Sequence, residues 1–437
     1  MMRKFRVLAA IAAIAMIPLP ASAESDGTGF ETTPCDLPVT APMPGSGTTL
    51  MVDAPLPSVT RILIRTAAGT VGATELEILA APGDTVVLRN GTFPPIEVKV
   101  PYLRLRGESR YGTVIDGQNT REIGVNVVST DGVLVENLTV RNFRRHGIFF
   151  FHAKGYWARY INAHNFGLYG IYAFDSRCGQ IDNSYASGGA DSGFYIGECF
   201  PCDATITDII AESNALGYSG TNAGGNLVLK NSDWVRNAMG IVPNSLDGEE
   251  RPPQRGIIIK NNKILDNNDR LAPGTSLAGT FYGVGIAIAG GAGNIIYGNE
   301  VTDHALAGIV LTPLPDQNLW ISSGNTVWGN TVTHDAEEFP DSFDIGQGAS
   351  SGPGNCWADN TFGNSAPVMI EEIWSCGLPV TGPGGSPLAE LGLAQGVLGL
   401  NGRVQGDWKT WPIPAGAAGQ PEAPLSAPDT WLPEVTY

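Results

Sequence analysis

A glycine that returns every 23 residues constrains this chain more than any other feature. Gly124, Gly147, Gly170, Gly193, Gly217 and Gly240 each open a short apolar run, at spacings of 23, 23, 23, 24 and 23 residues. The series resumes at Gly285 and Gly308, again 23 apart. A second column runs Asn137, Asn183, Asp208, Asn231, Asn262, Asn299, Asn330 and Asn360, with Tyr160 filling its gap. Around it stand β-rich phrases such as Leu134-Val135-Glu136-Asn137-Leu138, and no apolar stripe with a helical period accompanies them. A unit this small cannot bury its own apolar face, so units must stack. The pattern predicts a parallel β-solenoid with strands about 4.8 Å apart. In this reading the asparagines form a stacked amide ladder, and the glycines serve tight corners where φ is positive. The dense leucine phrase of leucine-rich repeats and the longer period of propellers are both missing.

Composition sets the class and compartment. With 43% apolar residues the chain can bury a core, while only 16% of residues are charged, against about 25% in ordinary globular chains. A formal net charge of −17 argues against a nucleic-acid binder and against a protein held to membranes by basic patches. Arg3, Lys4 and Arg6 precede an apolar run from Val7 to Ile17 and the small-residue phrase Ala21-Ser22-Ala23. Residues 1–23 therefore read as a cleavable signal peptide. No stretch reaches the roughly 18 apolar residues of a transmembrane helix. A secreted or periplasmic protein is expected, and its six cysteines are then expected to form disulfides. Cys199-Phe200-Pro201-Cys202 is read as a local staple across a turn, because no βαβ pattern surrounds it. The Pro-, Thr- and Ser-rich stretch 24–60 is expected to cap the solenoid of residues 61–376. The Gly/Pro/Ala-rich tail, 377–437, carries Trp408, Trp411 and Trp431. It should lie back along the solenoid or dock a partner protein.

Two phrases carry a resemblance. Ala81-Pro82-Gly83-Asp84-Thr85-Val86-Val87-Leu88-Arg89-Asn90-Gly91-Thr92-Phe93 and Gly112-Thr113-Val114-Ile115-Asp116-Gly117 resemble the N-terminal entry of the pectin-lyase-like right-handed β-helix superfamily. The downstream coils, to about residue 365, resemble its carbohydrate-associated repeats. The resemblance implies an all-β, single-stranded right-handed parallel β-helix. It does not fix an activity, because the superfamily holds lyases, hydrolases, epimerases, tailspikes and non-catalytic accessory proteins. The Asp-Pro-His-Asp phrase of alginate epimerases, the Asn-Thr-Asp and Gly-His-Gly pair of polygalacturonases and the Trp-Ile-Asp-His phrase of pectate lyases are all missing.

Aligning coils on their glycines gives a candidate site. Residues one and three after the glycine, such as Ile148/Phe150, Ile171/Ala173 and Phe194/Ile196, suit the interior. Period-2 alternation then turns Phe149, Phe151, Tyr172, Phe174 and Tyr195 outward, as flat surface on which a sugar ring could stack. Five after the glycine stand Ser129, His152, Asp175, Glu198, Asn222 and Ser245. In register, His152, Asp175 and Glu198 form a catalytic candidate. Adjacent carboxylates repel and raise one pKa, which makes an acid and a base from one residue type. Carboxyls about 5–5.5 Å apart would suit a retaining glycosidase and about 6.5–9.5 Å an inverting one. Asp175 and Glu198 could instead hold Ca²⁺, with His152 as the base for elimination or epimerisation. The loops at 199–203, 246–256 and 313–326 would wall a groove, into which Trp320, Arg251 and Arg255 could reach. Asn222, Ser245, Arg144 and Arg145 complete the expected contacts. The expectation is polysaccharide binding and processing; the alternative is a non-catalytic accessory or structural subunit of an envelope or extracellular assembly. A copper-handling site of Cys199, Cys202 and His152 is a third reading. His146, His164, His304 and His334 fall at turns and are read as structural.

Overall fold

A computed structural model describes Cys35 and residues 41–275, 280–391 and 403–426. The expected signal peptide and Trp431 lie outside these. Each coil lays down up to three strands. In one coil they are Arg177–Asp182, Tyr185–Gly189 and Ser192–Gly197. Each pairs in parallel with its equivalents in the coils before and after. The third kind stacks into a 13-stranded sheet; the first two join in a 20-stranded sheet, because Val133–Phe143 and Lys154–Phe166 each run through the corner as one strand. Ile148, Phe150, Ile171, Ala173, Phe194 and Ile196 have no exposed surface, so the register read from the glycines places the core correctly.

The reason for the glycines differs from the expectation. None of the eight has a positive φ. A Cβ at Gly147 would sit 2.6 Å from the carbonyl oxygen of Gly170, and one at Gly240 2.4 Å from that of Gly285. At seven of the eight a carbonyl of the next coil passes too close for any side chain, and at Gly193 the Asn214 amide does so. Left-handed corners are instead taken by Ser129, His152, Asp175, Glu198 and Asn222, with φ from 45 to 52°.

The asparagine column also divides. Asn137, Tyr160, Asn183, Asp208 and Asn231 occupy a left-handed corner. Asn262, Asn299, Asn330 and Asn360 lie one residue further on. There Asn262 Nδ2 donates to Asn299 Oδ1 at 3.0 Å, Asn299 to Asn330 at 2.9 Å, and Asn330 to Asn360 at 2.9 Å. The amide ladder is thus confined to the later coils. Two further ladders stack Asn214, Asn237 and Asn267, and Asn294, Asn325 and Asn355.

Both ends differ in detail from the sequence reading. Thr49–Val52, expected in the cap, is a strand paired with Thr85–Leu88. The last rung, Ser365–Ala366, is followed by a short helix, Ile370–Ile373, which buries Ile370. Disulfides join Cys35 to Cys178, Cys199 to Cys202 and Cys356 to Cys376. The local staple is present, and its thiols are therefore not free to bind a metal. Residues 403–426 run back along the solenoid. Arg403 donates to Phe281 O at 2.9 Å, Asn165 to Trp411 O at 3.0 Å and Arg106 to Ala423 O at 2.9 Å. Among the described residues no helix is long and apolar enough to cross a membrane.

Candidate functional site

The predicted corner exists. Phe151, Phe174 and Gly197 are paired across three coils, so His152, Asp175 and Glu198 follow in register at one left-handed corner. Their amides continue the ladder: His152 N donates to Phe174 O at 3.3 Å, Asp175 N to Gly197 O at 3.0 Å and Glu198 N to Thr221 O at 2.9 Å. A left-handed φ costs these residues conformational energy, which the ladder on either side holds in place. His152 Nε2 lies 2.8 Å from Asp175 Oδ2.

A loop that is not part of the repeat completes the column. Residues 246–251 leave the sheet four coils after His152 and fold back over it. Arg251 donates to Asp175 Oδ1 at 2.8 Å, the Glu250 amide to Glu198 Oε1 at 2.6 Å, and Tyr195 to Glu249 Oε2 at 3.2 Å. Asn222 and Ser245, expected to touch substrate, hold this loop instead. Buried Asn222 donates to Leu246 O at 2.8 Å and accepts from Leu246 N at 3.1 Å. Ser245 Oγ donates to Gly290 O at 2.7 Å and accepts from Gln254 N at 2.9 Å.

The outward rings stack as expected but are not equally open. Phe149 and Tyr172 lie 4.9 Å apart and nearly parallel, and Tyr172 meets Tyr195 edge-on at 4.8 Å. Tyr195 is 1% exposed and Tyr172 9%, which corrects the expectation of a fully open platform. Phe149, Phe151 and Phe174 keep part of their surface exposed. Arg144, which pairs with Glu122 at 3.2 Å, and Arg145 stand at the strand's opposite end from His152. Trp320 lies in a hairpin, Leu314–Pro315 with Leu319–Trp320, against Gly290. That position is three rungs beyond Glu198, so Trp320 does not reach the column. Arg255 stacks over Phe200 at 3.7 Å instead.

Several groups escaped the sequence reading. His146 and Tyr169 stack at 5.4 Å with rings 5° from parallel, and both meet Tyr172. Strict alternation from Ile148 would send His146 inward, but the pattern breaks at Gly147, so the residue before the glycine also faces out. A sequence signal was present: that position holds His146, Tyr169 and Ser192 in these three coils, and Leu216 and Met239 in the next two. His146, read as structural, is buried with Nδ1 unpartnered, and burial with the nearby Arg145 charge pulls its pKa down to about 3. His164 and His304 do bond within the fold, to Ser187 and to the Asn267 amide, and His334 pairs with Asp344.

The carboxyls form the chemically distinctive part. Burial pushes Glu249 up to about 7, with the Glu198 charge adding and the Tyr195 bond opposing. Burial likewise pushes Asp191 up to about 7; its bond to Tyr169 opposes and the Glu249 charge adds. Glu198 is raised by burial, with the Glu250 amide opposing and the charges of Glu250 and Asp175 adding. Tyr169, Tyr172 and Tyr195 are all raised, chiefly by burial. At neutral pH the phenols keep their protons, and beside them Glu249 and Asp191 stand near the midpoint of their titration. The donor set does not fit Ca²⁺: both Asp175 oxygens face cationic or N–H partners, and Glu198 already accepts an amide. Among the described residues the one cluster with three ligand atoms in reach is Cys35, Cys178 and Asp203, where the two sulfurs are bonded to each other.

The family model described as a right-handed β-helix region matches residues 241–382. No curated protein matches the chain by sequence. Solved structures of similar shape include the A-module of a mannuronan C-5 epimerase from Azotobacter vinelandii, with 15% identity, 63% of this chain and 86% of that one covered, and a TM-score of 0.45. The DFA-IIIase of Arthrobacter chlorophenolicus shares 12% identity over 65% of this chain and 77% of its own, with a TM-score of 0.43. A periplasmic alginate epimerase shares 11% identity over 72% and 77%, also at 0.43. Its strands stack in parallel ladders through successive coils, so the chain is a parallel β-helix, of which residues 241–382 match the right-handed β-helix model.

Proposed function

We propose that the chain is an exported enzyme that binds and processes a polysaccharide by proton transfer on the 13-stranded sheet, over coils 147–251. The observation that carries this reading is the group of Glu198, Glu249 and Asp191, raised in pKa beside Tyr169, Tyr172, Tyr195 and His146. A carboxyl poised near neutrality can give a proton to a leaving oxygen or take one from carbon, whichever the sugar requires. Structural ion pairs also perturb pKa values, but burial is the largest cause for all three of these acids.

In this reading Glu249 is the acid–base group, its pKa raised by burial with the Glu198 charge adding. The His152–Asp175 pair, with Arg251, fixes the loop that carries Glu249. Phe149, Phe151 and Phe174 offer their exposed ring surface to the sugar. The three disulfides and the signal-like residues 1–23 support export to an oxidising compartment. A second reading, a non-catalytic binding or structural subunit, is favoured by one specific observation: Asp175 and Glu198 already latch the loop through Arg251 and Glu250.

Turnover separates the two. The purified protein is offered a panel of acidic and neutral polysaccharides, followed by ultraviolet absorbance for unsaturated products, by reducing ends, and by NMR for inverted sugar centres. Turnover that Glu249→Gln abolishes supports the enzyme. Binding without any product supports the second reading.

A further inference from the structure

The 20-stranded sheet holds a second charged cluster, which the proposed function does not use. Glu136 has no exposed surface, yet three arginines converge on it. Arg104 Nε lies 2.7 Å from Oε1, Arg106 Nη1 2.6 Å from Oε1 and Arg159 Nε 2.6 Å from Oε2. Arg110, also without exposed surface, bonds Asn162 Oδ1 and Ile161 O, both at 2.9 Å. One glutamate cannot balance four guanidiniums. Two other carboxylates interact with these guanidiniums: Asp182, which feels the Arg159 charge but is bonded to Trp157 and Asn183, and the exposed Glu422.

Over this cluster lies a strap, residues 421–426, that meets it almost entirely through backbone carbonyls. Arg110 donates to Pro421 O at 2.6 Å, Arg106 to Ala423 O at 2.9 Å and Pro424 O at 2.8 Å, and Arg104 to Ser426 O at 3.2 Å. The strap's side chains add little: Leu425 is 87% exposed. Arg159 Nη2 is buried with no partner at all. Neutral carbonyls satisfy the N–H geometry and leave the charge uncompensated. Guanidinium forks bind carboxylate and sulfate oxygens about twice as strongly as neutral acceptors.

We propose that Arg104, Arg106, Arg110 and Arg159 form an anion-binding site, distinct from the carboxyl cluster, for a saccharide chain bearing carboxylate or sulfate groups. The C-terminal strap is its displaceable occupant. The strap's carbonyls stand where the ligand's oxygens bind, and the orphaned Arg159 Nη2 is the donor that only the ligand satisfies.

The test compares the full chain with a variant lacking residues 421–437, titrated at low salt with polygalacturonate, dextran sulfate and neutral dextran. The carboxylate and sulfate probes separate the two sources of oxyanion. Removal of the strap should tighten binding of at least one charged probe tenfold or more, leave dextran unbound, and lose the gain when Arg106→Gln is added. Equal binding by the full and shortened chains, or a gain that survives Arg106→Gln, overturns the proposal. If the shortened chain does not fold, limited proteolysis of the full chain decides. A charged probe should speed cleavage within the strap several-fold while dextran does not, and an unchanged rate overturns the proposal. Because the readout is the difference in binding between the full and the shortened chain, turnover does not enter it, which keeps this test separate from the enzyme reading.

Discussion

Two polar columns run along the solenoid, and they solve the same problem in opposite ways. In the later coils, Asn262, Asn299, Asn330 and Asn360 present one amide per rung, and each donates to the next. The column satisfies itself, and adding a coil extends it. In the earlier coils, His152, Asp175 and Glu198 present groups that cannot satisfy one another by repetition, because two neighbours are acids. They depend on a loop from outside the repeat, which supplies Arg251 and the Glu250 amide and brings Glu249 with it. A self-complementary column is what stacking alone requires.

This contrast predicts which substitutions cost stability and which cost activity. The largest effect expected is on turnover: Glu249→Gln should lower it about 10²- to 10⁴-fold, the usual contribution of a positioned acid or base, with circular dichroism unchanged. Retained turnover would reduce the two columns to one kind. Asn299→Ala should leave turnover intact and cost about 2–3 kcal/mol of unfolding free energy, because the buried partners on both sides lose a bond. A denaturant titration measures this, and a cost near zero would mean the ladder is ornamental.

The pH dependence of stability sharpens the comparison further. Glu249 and Asp191 have folded-state pKa values raised to about 7, above the unfolded values of about 4. The folded state therefore holds more protons between those limits, and stability falls as pH rises from about 4 to about 7. Glu249→Gln should raise the melting temperature at pH 8 and leave it nearly unchanged at pH 4. Asn299→Ala should lower it equally at both. The smallest effect is expected from Arg251→Ala, because its ion pair with Asp175 is partly exposed and such pairs contribute about 1 kcal/mol or less. Faster proteolysis within residues 246–256, with little change in melting, is the expected signature.

What could be read from the sequence follows the same division. The coil period, the core positions, the corner register of His152, Asp175 and Glu198, and the Cys199–Cys202 staple all arise from spacing, which stacking makes visible. Residue type was a poorer guide than spacing. The asparagines look like one column, but Asn231 and Asn262 sit at neighbouring positions with different jobs, and a one-residue slip changes what a side chain faces. The glycines suggest positive φ, yet Gly147 is demanded by the carbonyl of Gly170. Glu249 could not be found by alignment at all, since its loop belongs to no coil and crosses back over three. Asp191, Tyr169 and His146 were hidden by the break in alternation at each glycine.

The account rests most directly on Glu249. Its carboxyl titration can be followed by ¹³C NMR of the intact protein, with Glu249→Gln assigning the resonance. A midpoint near 7 that drops when Glu198→Gln removes the neighbouring charge is the predicted result. A midpoint near 4, indifferent to Glu198, would contradict the claim that this loop delivers a poised acid to the column.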